Sequence, residues 1–494
     1  MGMEQVDVVI IGSGYGGAIT AARLAAGGKK VVVLERGVRK GTADLKQSDS
    51  LKYIESVIDV VVSTNPAVPV SFRTGKLVGG ASIPMDGAHY RVPRTSFERS
   101  KEANGRPYWP EIYSREYLNS YYDKAEPMLG IRQFEWNEIA KTGGLFAKML
   151  HAYDANATCE RARLNYTDCI GCGFCAQGCI YDKKVTLLHH YIPLAEQHGA
   201  EFRTEAEVDH LEPPKNSATG VYTVFYKRNG APQQISGTRV IVACGGVYSA
   251  PLLLRSKTYL PNLSGHVGEN FNNNGEHDFI GILPPEFDDL NSYDCFKGSD
   301  NAALMSFNWF ESDGFTLHPG GGLEASVLAT KLSAVNHPVL PPRAWGMDYK
   351  RFAETIYPHR IIAFSALGLA DGHRAIAINP DGTPKFDNRD RTAYDKYRNR
   401  VNDIVFDMGK KTGVTIVEAV PPEQAGTTSA HLLSACRMAD KKENGVVDAD
   451  CQVFGYENLY VCDASVLPYA LGVNPALTIS AIAERTAEQI LAQG

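Results

Sequence analysis

Short apolar runs separated by turns mark the N-terminal part of the chain. Residues 6–11 form one such run, a GSGYGG turn follows at residues 12–17, and an alanine-rich stretch leads to a second run at residues 31–34. Continuous apolar runs of this length are typical of parallel strands that are buried on both faces. The pattern predicts a strand–turn–helix–strand unit. A further run at residues 239–246 predicts another strand, followed by a helix that begins near Ser249.

The middle of the chain has a different pattern. Residues 95–150 are rich in Tyr, Trp, Glu and Lys at helical spacing, which predicts amphipathic helices. Residues 280–428 contain longer connections, aromatic segments and a proline-rich stretch at residues 338–342, with a strand expected at residues 374–379. This change predicts a second domain that is inserted between the segments of the first.

Composition describes an ordinary globular protein. The 494 residues are enough for two domains, 44% of them are hydrophobic, 21% are charged, and the formal net charge is −6. This balance gives no basis for nucleic acid as a partner. The first strand begins too close to Met1 to leave room for a signal peptide, and the apolar runs are too short to span a bilayer. We therefore expect a cytoplasmic protein with no transmembrane segment.

The glycine turn has the chemistry of a dinucleotide site. Gly12, Gly14 and Gly17 let the backbone turn tightly and approach a pyrophosphate, which the N–H groups at the helix start attract. Glu35 ends the second strand, where an acid accepts hydrogen bonds from ribose hydroxyls. An ordinary β-α-β unit with a tight turn is the alternative. The strand context and the position of the acid favour a bound dinucleotide.

Two other regions are candidates for the same site. A second glycine-rich segment, residues 74–82, would allow close approach of a flat ring or a phosphate, although a plain turn explains it equally well. Near the C-terminus, residues 458–465 lead into residues 472–479 and form the counterpart of the N-terminal turn. Together the two ends of the chain point to FAD.

A cysteine cluster stands apart from the other cysteines. Four cysteines share the CxxCxxCxxxC spacing of bacterial ferredoxins, namely Cys169, Cys172, Cys175 and Cys179. The proline that usually follows is replaced by Ile180, and in two-cluster ferredoxins the fourth cysteine serves the other cluster. The spacing predicts one iron–sulfur cluster, with zinc or structural thiols as the alternatives.

Several separated motifs give the chain a resemblance to a known family. They are residues 12–17, 75–82, 267–275, 431–438 and 445–485. In this order they resemble the glucose-methanol-choline (GMC) oxidoreductases, most of all the cholesterol oxidase branch. The resemblance covers nearly the whole chain. It implies FAD as the cofactor and oxidation of an alcohol to a carbonyl.

The resemblance also assigns roles to individual residues. His431 matches the histidine that faces the flavin, and Asn474 matches its catalytic partner. The residues that the resemblance places on the cofactor are Gly12, Gly14, Gly17, Glu35, Gly79, Gly80, Ser82, Val208, Asp463, Ala464, Asn474 and Pro475. The chemistry agrees, because an imidazole accepts the proton of an alcohol near neutral pH and an amide orients its oxygen. A buried core histidine and a helix-capping asparagine are the alternatives.

For the fold, the resemblance implies an α/β architecture. A discontinuous Rossmann-like FAD-binding domain would carry an inserted α+β substrate-binding domain built on an antiparallel sheet. We place the FAD-binding domain at residues 1–100, 201–280 and 429–494. A helical and Cys-rich insertion would occupy residues 101–200, and the substrate-binding domain residues 281–428.

The expected activity is an FAD-dependent dehydrogenase or oxidase that acts on a CH–OH group. We favour a sugar, amino sugar or polyol over a steroid or lipid alcohol. The isomerising glutamate of steroid-oxidising relatives has no clear counterpart, since Glu324 lies several residues away and His318 is a weak substitute. Asp86 also stands where that branch carries an amide. A non-redox flavin lyase, an electron carrier and an NAD-dependent enzyme are the alternatives of other classes.

The electron acceptor and the pocket lining are less defined. The acceptor would be oxygen, a redox protein or a quinone, and an iron–sulfur cluster would favour a dehydrogenase that passes electrons onward. Candidate pocket residues from aromatic and histidine-bearing stretches are Asn308, Trp309, Glu311, His318, His337 and His359.

Overall fold

The computed structural model shows a mixed α/β protein. It describes residues 4–48, 50–63, 70–101, 104–214, 220–298, 303–320, 341, 343, 345–370, 372, 374–419 and 427–494. Glu324, His337 and most of the proline-rich stretch at residues 338–342 lie outside the described residues. Within these described ranges, no helix has the length and apolar character needed to cross a membrane.

The helices and strands are distributed along the whole described chain. The helices are Tyr15–Ala26, Leu51–Ile54, Arg94–Arg99, Arg115–Met128, Lys141–Tyr153, Tyr191–Gln197, Ser249–Arg255, Phe310–Asp313, Gly346–Arg351, Tyr357–Arg360, Thr392–Thr412 and Ala476–Ala492. The strands are β1 (Gln5–Ile11), β2 (Val31–Leu34), β3 (Ile58–Val62), β4 (Val70–Gly75), β5 (Arg132–Gln133), β6 (Glu160–Arg161), β7 (Arg163–Leu164), β8 (Glu201–Arg203), β9 (Ala206–Glu212), β10 (Tyr222–Arg228), β11 (Ala231–Val242), β12 (His277–Ile282), β13 (Leu304–Met305), β14 (Phe315–Gly320), β15 (Ile361–Gly368), β16 (Arg374–Ile378), β17 (Pro384–Asn388), β18 (Thr415–Glu418), β19 (Thr427–Ser429) and β20 (Leu459–Val461).

The largest sheet has seven strands and is built around β1. Its order is β8-β2-β1-β11-β10-β9, with β20 also paired to β11. β1 lies parallel to β2 and β11, and β20 lies parallel to β11, whereas β9, β10 and β11 are antiparallel to one another in turn. Every residue of β2 is buried, as a continuous apolar run requires. The parallel strands and the glycine turn are those of a Rossmann-like fold.

Two helices join the ends of the chain beside this sheet. Helix Tyr15–Ala26 packs against helix Ala476–Ala492. Arg23 donates two hydrogen bonds to the Glu484 carboxylate, at 2.7 and 2.8 Å, and Tyr191 donates a third at 2.6 Å. The Glu484 carboxylate is buried, and hydrogen bonds to several donors compensate for its loss of hydration. The N-terminal turn and the C-terminal segment are therefore held close together.

A four-stranded antiparallel sheet has a separate core. Its order is β14-β15-β12-β18. One face packs on helices Lys141–Tyr153 and Thr392–Thr412, where the ring centroids of Phe146 and Phe364 are 6.1 Å apart. The apolar residues of this face form a cluster distinct from the core of the seven-stranded sheet.

Local sequence predictions agree with these elements. The run at residues 239–246 supplies the end of β11, the helix expected near Ser249 spans Ser249–Arg255, and the strand expected at residues 374–379 is β16. The domain boundaries given above stay predictions.

Candidate functional site

The glycine turn lies at the carboxyl ends of three parallel strands. A Cβ on Gly12 would lie 2.3 Å from the carbonyl oxygen of Ala243, and one on Gly16 would lie 1.6 Å from that of Cys462. These distances exclude a side chain, so the turn packs directly against the ends of β11 and β20. At Gly14, by contrast, no described atom lies within 4 Å of an added Cβ. The turn thus has one packed side and one open side.

Glu35 lies beside this turn, as its place in the sequence predicts. Its Oε2 accepts hydrogen bonds from the backbone N–H of Ser13 at 3.1 Å and from the Ser13 hydroxyl at 2.6 Å. Its Oε1 accepts one from the N–H of Gly37 at 2.8 Å. Only 6% of Glu35 is exposed. The carboxylate therefore fixes the shape of the turn, and its contact with a ribose stays a prediction.

The second glycine-rich segment contacts the first. The N–H of Gly79 donates to the Ser13 hydroxyl at 3.2 Å, and a Cβ on Gly80 would lie 2.8 Å from the Cα of Gly14. The Ser82 hydroxyl donates to the Gly79 carbonyl at 2.7 Å. Gly79 and Gly80 both have a positive φ, which a side chain would strain. The structure thus brings together two segments that the sequence only suggested as partners.

Asp463 joins the C-terminal segment to the same region. Its carboxylate accepts four hydrogen bonds, from the N–H of Gly245 at 2.8 Å, the Ser249 hydroxyl at 2.5 Å, and the N–H and hydroxyl of Ser465 at 2.8 and 2.6 Å. Burial raises the pKa of Asp463 above its usual range. The carboxylate is thus engaged within the protein and shapes the segment after β20.

The remaining predicted cofactor residues belong to segments near the glycine turn. A Cβ on Gly17 would lie 2.0 Å from the Gly12 carbonyl. The N–H of Ala206 donates to the Glu35 carbonyl at 2.9 Å, which brings β9, the strand of Val208, beside the end of β2. Ala464 accepts from a backbone N–H of the 431–438 motif at 3.3 Å, and Pro475 precedes helix Ala476–Ala492.

The side chains of His431 and Asn474 contact each other. Asn474 Nδ2 lies 3.3 Å from His431 Nε2, although the two residues are 43 positions apart. Asn474 Oδ1 is buried and has no hydrogen-bond partner in the described part of the chain. Buried polar atoms without partners are uncommon and mark a place where a ligand is expected. The predicted catalytic pair therefore forms one site.

This pair lies next to the glycine turn. A Cβ on Gly246, which follows β11, would lie 1.8 Å from the carbonyl oxygen of Leu432. The N–H of Ser434 donates to the carbonyl of Ala464. The segment that carries His431 is therefore packed against both loops that border the glycine turn.

Sequence reasoning missed Glu276 and Ser429. The Ser429 hydroxyl donates to Glu276 Oε2 at 2.6 Å and accepts from the N–H of His431 at 2.9 Å. Glu276 Oε2 also lies 3.3 Å from His431 Nδ1, as a contact between possible charges and not as a hydrogen bond. A carboxylate only accepts hydrogen bonds, so it favours the His431 tautomer with the proton on Nδ1. In this tautomer Nε2, which lies 3.3 Å from Asn474 Nδ2, carries no proton and is able to accept one.

Asn274 fixes the segment in front of Asn474. Its Oδ1 accepts from the N–H groups of Leu471 and Gly472 at 2.7 and 3.1 Å, and its Nδ2 donates to the carbonyl of Val473 at 2.8 Å. Three hydrogen bonds from one buried side chain hold this backbone in a single conformation. The resemblance included Asn274 in a motif but gave it no role.

Among the candidate pocket residues that the structure describes, His318 lies near His431. It is 7% exposed, and burial is the main reason that its pKa is lowered, with a further contribution from the charge of His431. Four other described candidates make contacts elsewhere. Asn308 pairs with Thr158, Trp309 stacks on Phe315, Glu311 accepts from Thr95, and His359 contacts the carbonyl of Tyr293.

The cysteine segment does not support the predicted iron–sulfur cluster or the zinc alternative. Cys169, Cys172, Cys175 and Cys179 are all described, and none of them forms a disulfide bond. Across the described residues, no three His, Cys, Asp or Glu side chains converge closely enough to hold a metal ion. Two of the sulfurs accept local backbone N–H groups instead, Cys169 from Gly171 at 3.4 Å and Cys179 from Lys183 at 3.3 Å. The cysteine spacing permits four ligands, but the loop does not bring them together.

Lys184 connects this cysteine segment to the second glycine segment. It is 1% exposed, and its Nζ donates to the carbonyls of Ile83, Met85 and Cys175 at 2.7, 2.6 and 2.8 Å. An ammonium with several carbonyl acceptors tolerates burial. The segment that contains the cysteines thus supports the backbone that follows Ser82.

Comparisons with known proteins agree with this geometry. Two GMC oxidoreductase family models match the chain, the N-terminal one at residues 9–275 and the C-terminal one at residues 370–483. A 2-methyl-1,2-propanediol dehydrogenase of Mycolicibacterium austroafricanum is 26% identical, over 99% of this chain and 95% of its own. A cholesterol oxidase of Acinetobacter baumannii is 24% identical, over 99% and 94%. A paromamine 6'-oxidase of Streptomyces fradiae is 26% identical, over 98% and 91%. With both family models matched along most of its length, the chain belongs to the GMC oxidoreductases.

Proposed function

We propose that this chain is an FAD-dependent oxidoreductase that oxidises a CH–OH group of a sugar, amino sugar or polyol to a carbonyl. The observation that carries the proposal is the His431–Asn474 pair: Asn474 Nδ2 lies 3.3 Å from His431 Nε2, and Asn474 Oδ1 is buried without a hydrogen-bond partner among the described residues. The pair supplies a proton acceptor and an amide at one point, as the oxidation of an alcohol requires.

The residues around the glycine turn fit FAD, the cofactor of the GMC oxidoreductases. The open side at Gly14 leaves room for a pyrophosphate at the start of helix Tyr15–Ala26. Gly245, which the Asp463 carboxylate holds in place, likewise has no described atom within 4 Å of an added Cβ. Glu35, Gly79 and Gly80 border the same space. Bound FAD would supply the hydride acceptor for the reaction.

The protein's own residues would handle the proton and the oxygen of the substrate. His431 Nε2 accepts the hydroxyl proton as the hydride leaves the carbon, and Glu276 stabilises the resulting imidazolium from the Nδ1 side. Asn474 Nδ2 donates to the substrate oxygen and holds it toward His431. The Asn274 contacts to residues 471–473 keep Asn474 in position.

Polar side chains near the pair support a polar substrate. Glu276 and His318 both lie close enough to His431 to interact with it electrostatically. A steroid would place an apolar ring system against such groups and leave the buried Nε2 of His318 without a hydrogen bond, which is unfavourable. The diol named for one relative and the amino sugar named for another agree with this preference.

Anaerobic absorbance spectroscopy tests the proposal. The purified protein, loaded with FAD, would be mixed with glycerol, sorbitol, glucose, glucosamine, propane-1,2-diol, cholesterol and a long-chain alcohol. We expect at least one polar member to bleach the flavin band. H431A should bind FAD as well as the wild type does, but its flavin should be bleached ~10²–10⁴ times more slowly. A protein that takes up no FAD, or a loaded protein that no member bleaches, would contradict the proposal, and the second result would favour a lyase.

A further inference from the structure

Three polar side chains form a row across the four-stranded sheet. The strand register places His318 of β14 opposite Ser365 of β15, and Ser365 opposite Asp278 of β12. Residues directly opposite each other on antiparallel strands point to the same face of a sheet. We call these three residues the polar row.

The polar row faces the site of His431 and Asn474. Thr316 lies two residues before His318 and therefore points to the same face of β14. Its hydroxyl donates to the carbonyl oxygen of Gly472 at 2.9 Å, two residues before Asn474. The opposite face carries Phe364, which packs on helix Lys141–Tyr153 in the separate apolar core. The face that carries the polar row therefore lies toward the catalytic pair.

The hydrogen-bond state of His318 follows from its neighbours. Its Nδ1 lies 3.2 Å from the carbonyl oxygen of Pro319, which can only accept, so Nδ1 carries the proton. Nε2 is then an acceptor, and it is buried without a partner in the described part of the chain. Burial lowers the pKa of His318, which keeps the ring neutral. A buried acceptor in this state requires a ligand that donates a hydrogen bond.

Ser365 adds a second acceptor beside His318. Its hydroxyl proton is directed to Asp278 Oδ1 at 2.7 Å, which leaves the oxygen lone pairs for a donor. Neighbouring acceptors on one face match a group that donates, such as a hydroxyl on a carbon chain. An apolar ligand would satisfy neither acceptor.

We propose that the polar row binds a second hydroxyl group of the substrate, so that His318 and Ser365 select polyhydroxylated substrates over alcohols with a single hydroxyl. This inference rests on the proposed function, since the first hydroxyl is the one that faces His431 and Asn474. A site built around a hydrogen bond discriminates strongly against an analogue that lacks the donor, because its own buried group then stays unpaired.

Matched pairs of substrates test the proposal. Anaerobic flavin bleaching would be measured with propane-1,2-diol against propan-1-ol, and with hexane-1,2-diol against hexan-1-ol. We expect a diol preference in kcat/KM, and in H318F we expect that preference to fall at least ~10-fold. H318Q keeps an acceptor and should retain most of the preference. H151F, which changes an exposed histidine on helix Lys141–Tyr153, should keep the wild-type preference. An equal preference in wild type and H318F would overturn the proposal.

A binding measurement separates this proposal from the chemistry. The FAD-loaded H431A protein should be stabilised against heat by hexane-1,2-diol more than by hexan-1-ol, and the added H318F change should abolish the difference. S365A provides a second variant if H318F does not fold, with S312A as its exposed control. A diol-specific rise in Tm that needs His318 supports the polar row even if no alcohol bleaches the flavin. Equal rises for diol and mono-alcohol would contradict it.

Discussion

His431 Nδ1 lies 3.3 Å from Glu276 Oε2, and Ser429 joins the same two residues by hydrogen bonds to the Glu276 carboxylate and the His431 backbone. Ser429 is the last residue of β19, and Glu276 directly precedes β12. The contact therefore joins the ends of two strands that are distant in sequence. The contact gives the imidazole a defined orientation. It also places a negative charge where a positive charge forms when Nε2 accepts a proton.

E276Q should therefore lower kcat while changing KM little. The amide keeps the size of the side chain but removes the negative charge that favours the Nδ1 proton and the imidazolium. We expect kcat to fall at least ~10-fold, less than the ~10²–10⁴ expected for loss of the base itself. Steady-state kinetics on the best substrate would measure both parameters.

E269Q is the matched control for this variant. Glu269 also contacts a histidine, with 3.0 Å between its carboxylate and His266 Nδ1, and it pairs with Arg389 on the surface. We expect E269Q to leave kcat near the wild-type value. An E276Q protein with unchanged kcat, or with a loss that appears wholly in KM, would show that Glu276 does not act through His431.

The glycine turn and the strands around it could be predicted from sequence because their signals are local. The spacing of Gly12, Gly14 and Gly17 dictates a tight turn, and the apolar runs on either side dictate buried strands. The position of Glu35 beside the turn follows for the same reason, since this residue comes directly after β2. These elements need only a few neighbouring residues to specify them.

The supporting residues of the catalytic pair could not be predicted in this way. Glu276 and His431 are distant in sequence and come into contact only in the folded chain. The three residues of the polar row lie side by side only because of the register in which β14, β15 and β12 pair. A single sequence does not specify such a register when the residues between the strands are irregular. The iron–sulfur prediction is not supported for a related reason. The spacing of the cysteines shows that four thiolates could bind one cluster, but the conformation of the loop decides whether the sulfurs converge.

Gly14 and Gly16 should differ sharply when each is replaced by alanine. An added Cβ at Gly14 has no described atom within 4 Å, whereas one at Gly16 would lie 1.6 Å from the carbonyl oxygen of Cys462. G14A should leave the thermal stability of the FAD-free protein unchanged but weaken FAD binding at least ~10-fold, because the methyl group occupies cofactor space. G16A should cost about 1–3 kcal/mol of stability through overpacking.

Thermal unfolding of both FAD-free variants, together with a flavin titration, checks this contrast. The wild-type protein is the reference for each measurement. A G14A protein that binds FAD as tightly as the wild type would place the pyrophosphate elsewhere. A G16A protein as stable as the wild type would show that the turn is not packed against the end of β20.

Lys184 should contribute to stability through its three backbone acceptors. K184M keeps the volume of the buried chain but leaves the carbonyls of Ile83, Met85 and Cys175 without this donor, at a cost of about 2–4 kcal/mol. K183M is the neighbouring control, because Lys183 is partly exposed. Urea unfolding of the two variants would compare them. Equal midpoints for K184M and the wild type would mean that the cysteine segment does not depend on this contact.

His89 should make the folded state sensitive to acid. It is fully buried, its Nδ1 contacts the carbonyl of Gly87 at 2.8 Å, and its Nε2 lies 3.3 Å from the hydroxyl of Tyr15, the residue after Gly14. Burial is the main cause that lowers the pKa of His89 from 6.5 to about 4. Between these two values the unfolded chain binds a proton that the folded chain does not, so the free energy of unfolding falls as the pH falls.

H89Q should remove this part of the acid sensitivity. The linkage predicts that the wild-type protein loses roughly 3 kcal/mol of stability from His89 as the pH drops from 6.5 toward 4, while above pH 6.5 this group contributes no pH dependence. Urea unfolding at pH 7 and pH 4.5 would show a smaller difference for H89Q than for the wild type. H190Q, at an exposed histidine, should retain the wild-type difference. An equal loss of stability in H89Q and the wild type would contradict this prediction. It would mean that the folded protein binds a proton at His89 as readily as the unfolded chain does, in spite of the burial of the ring.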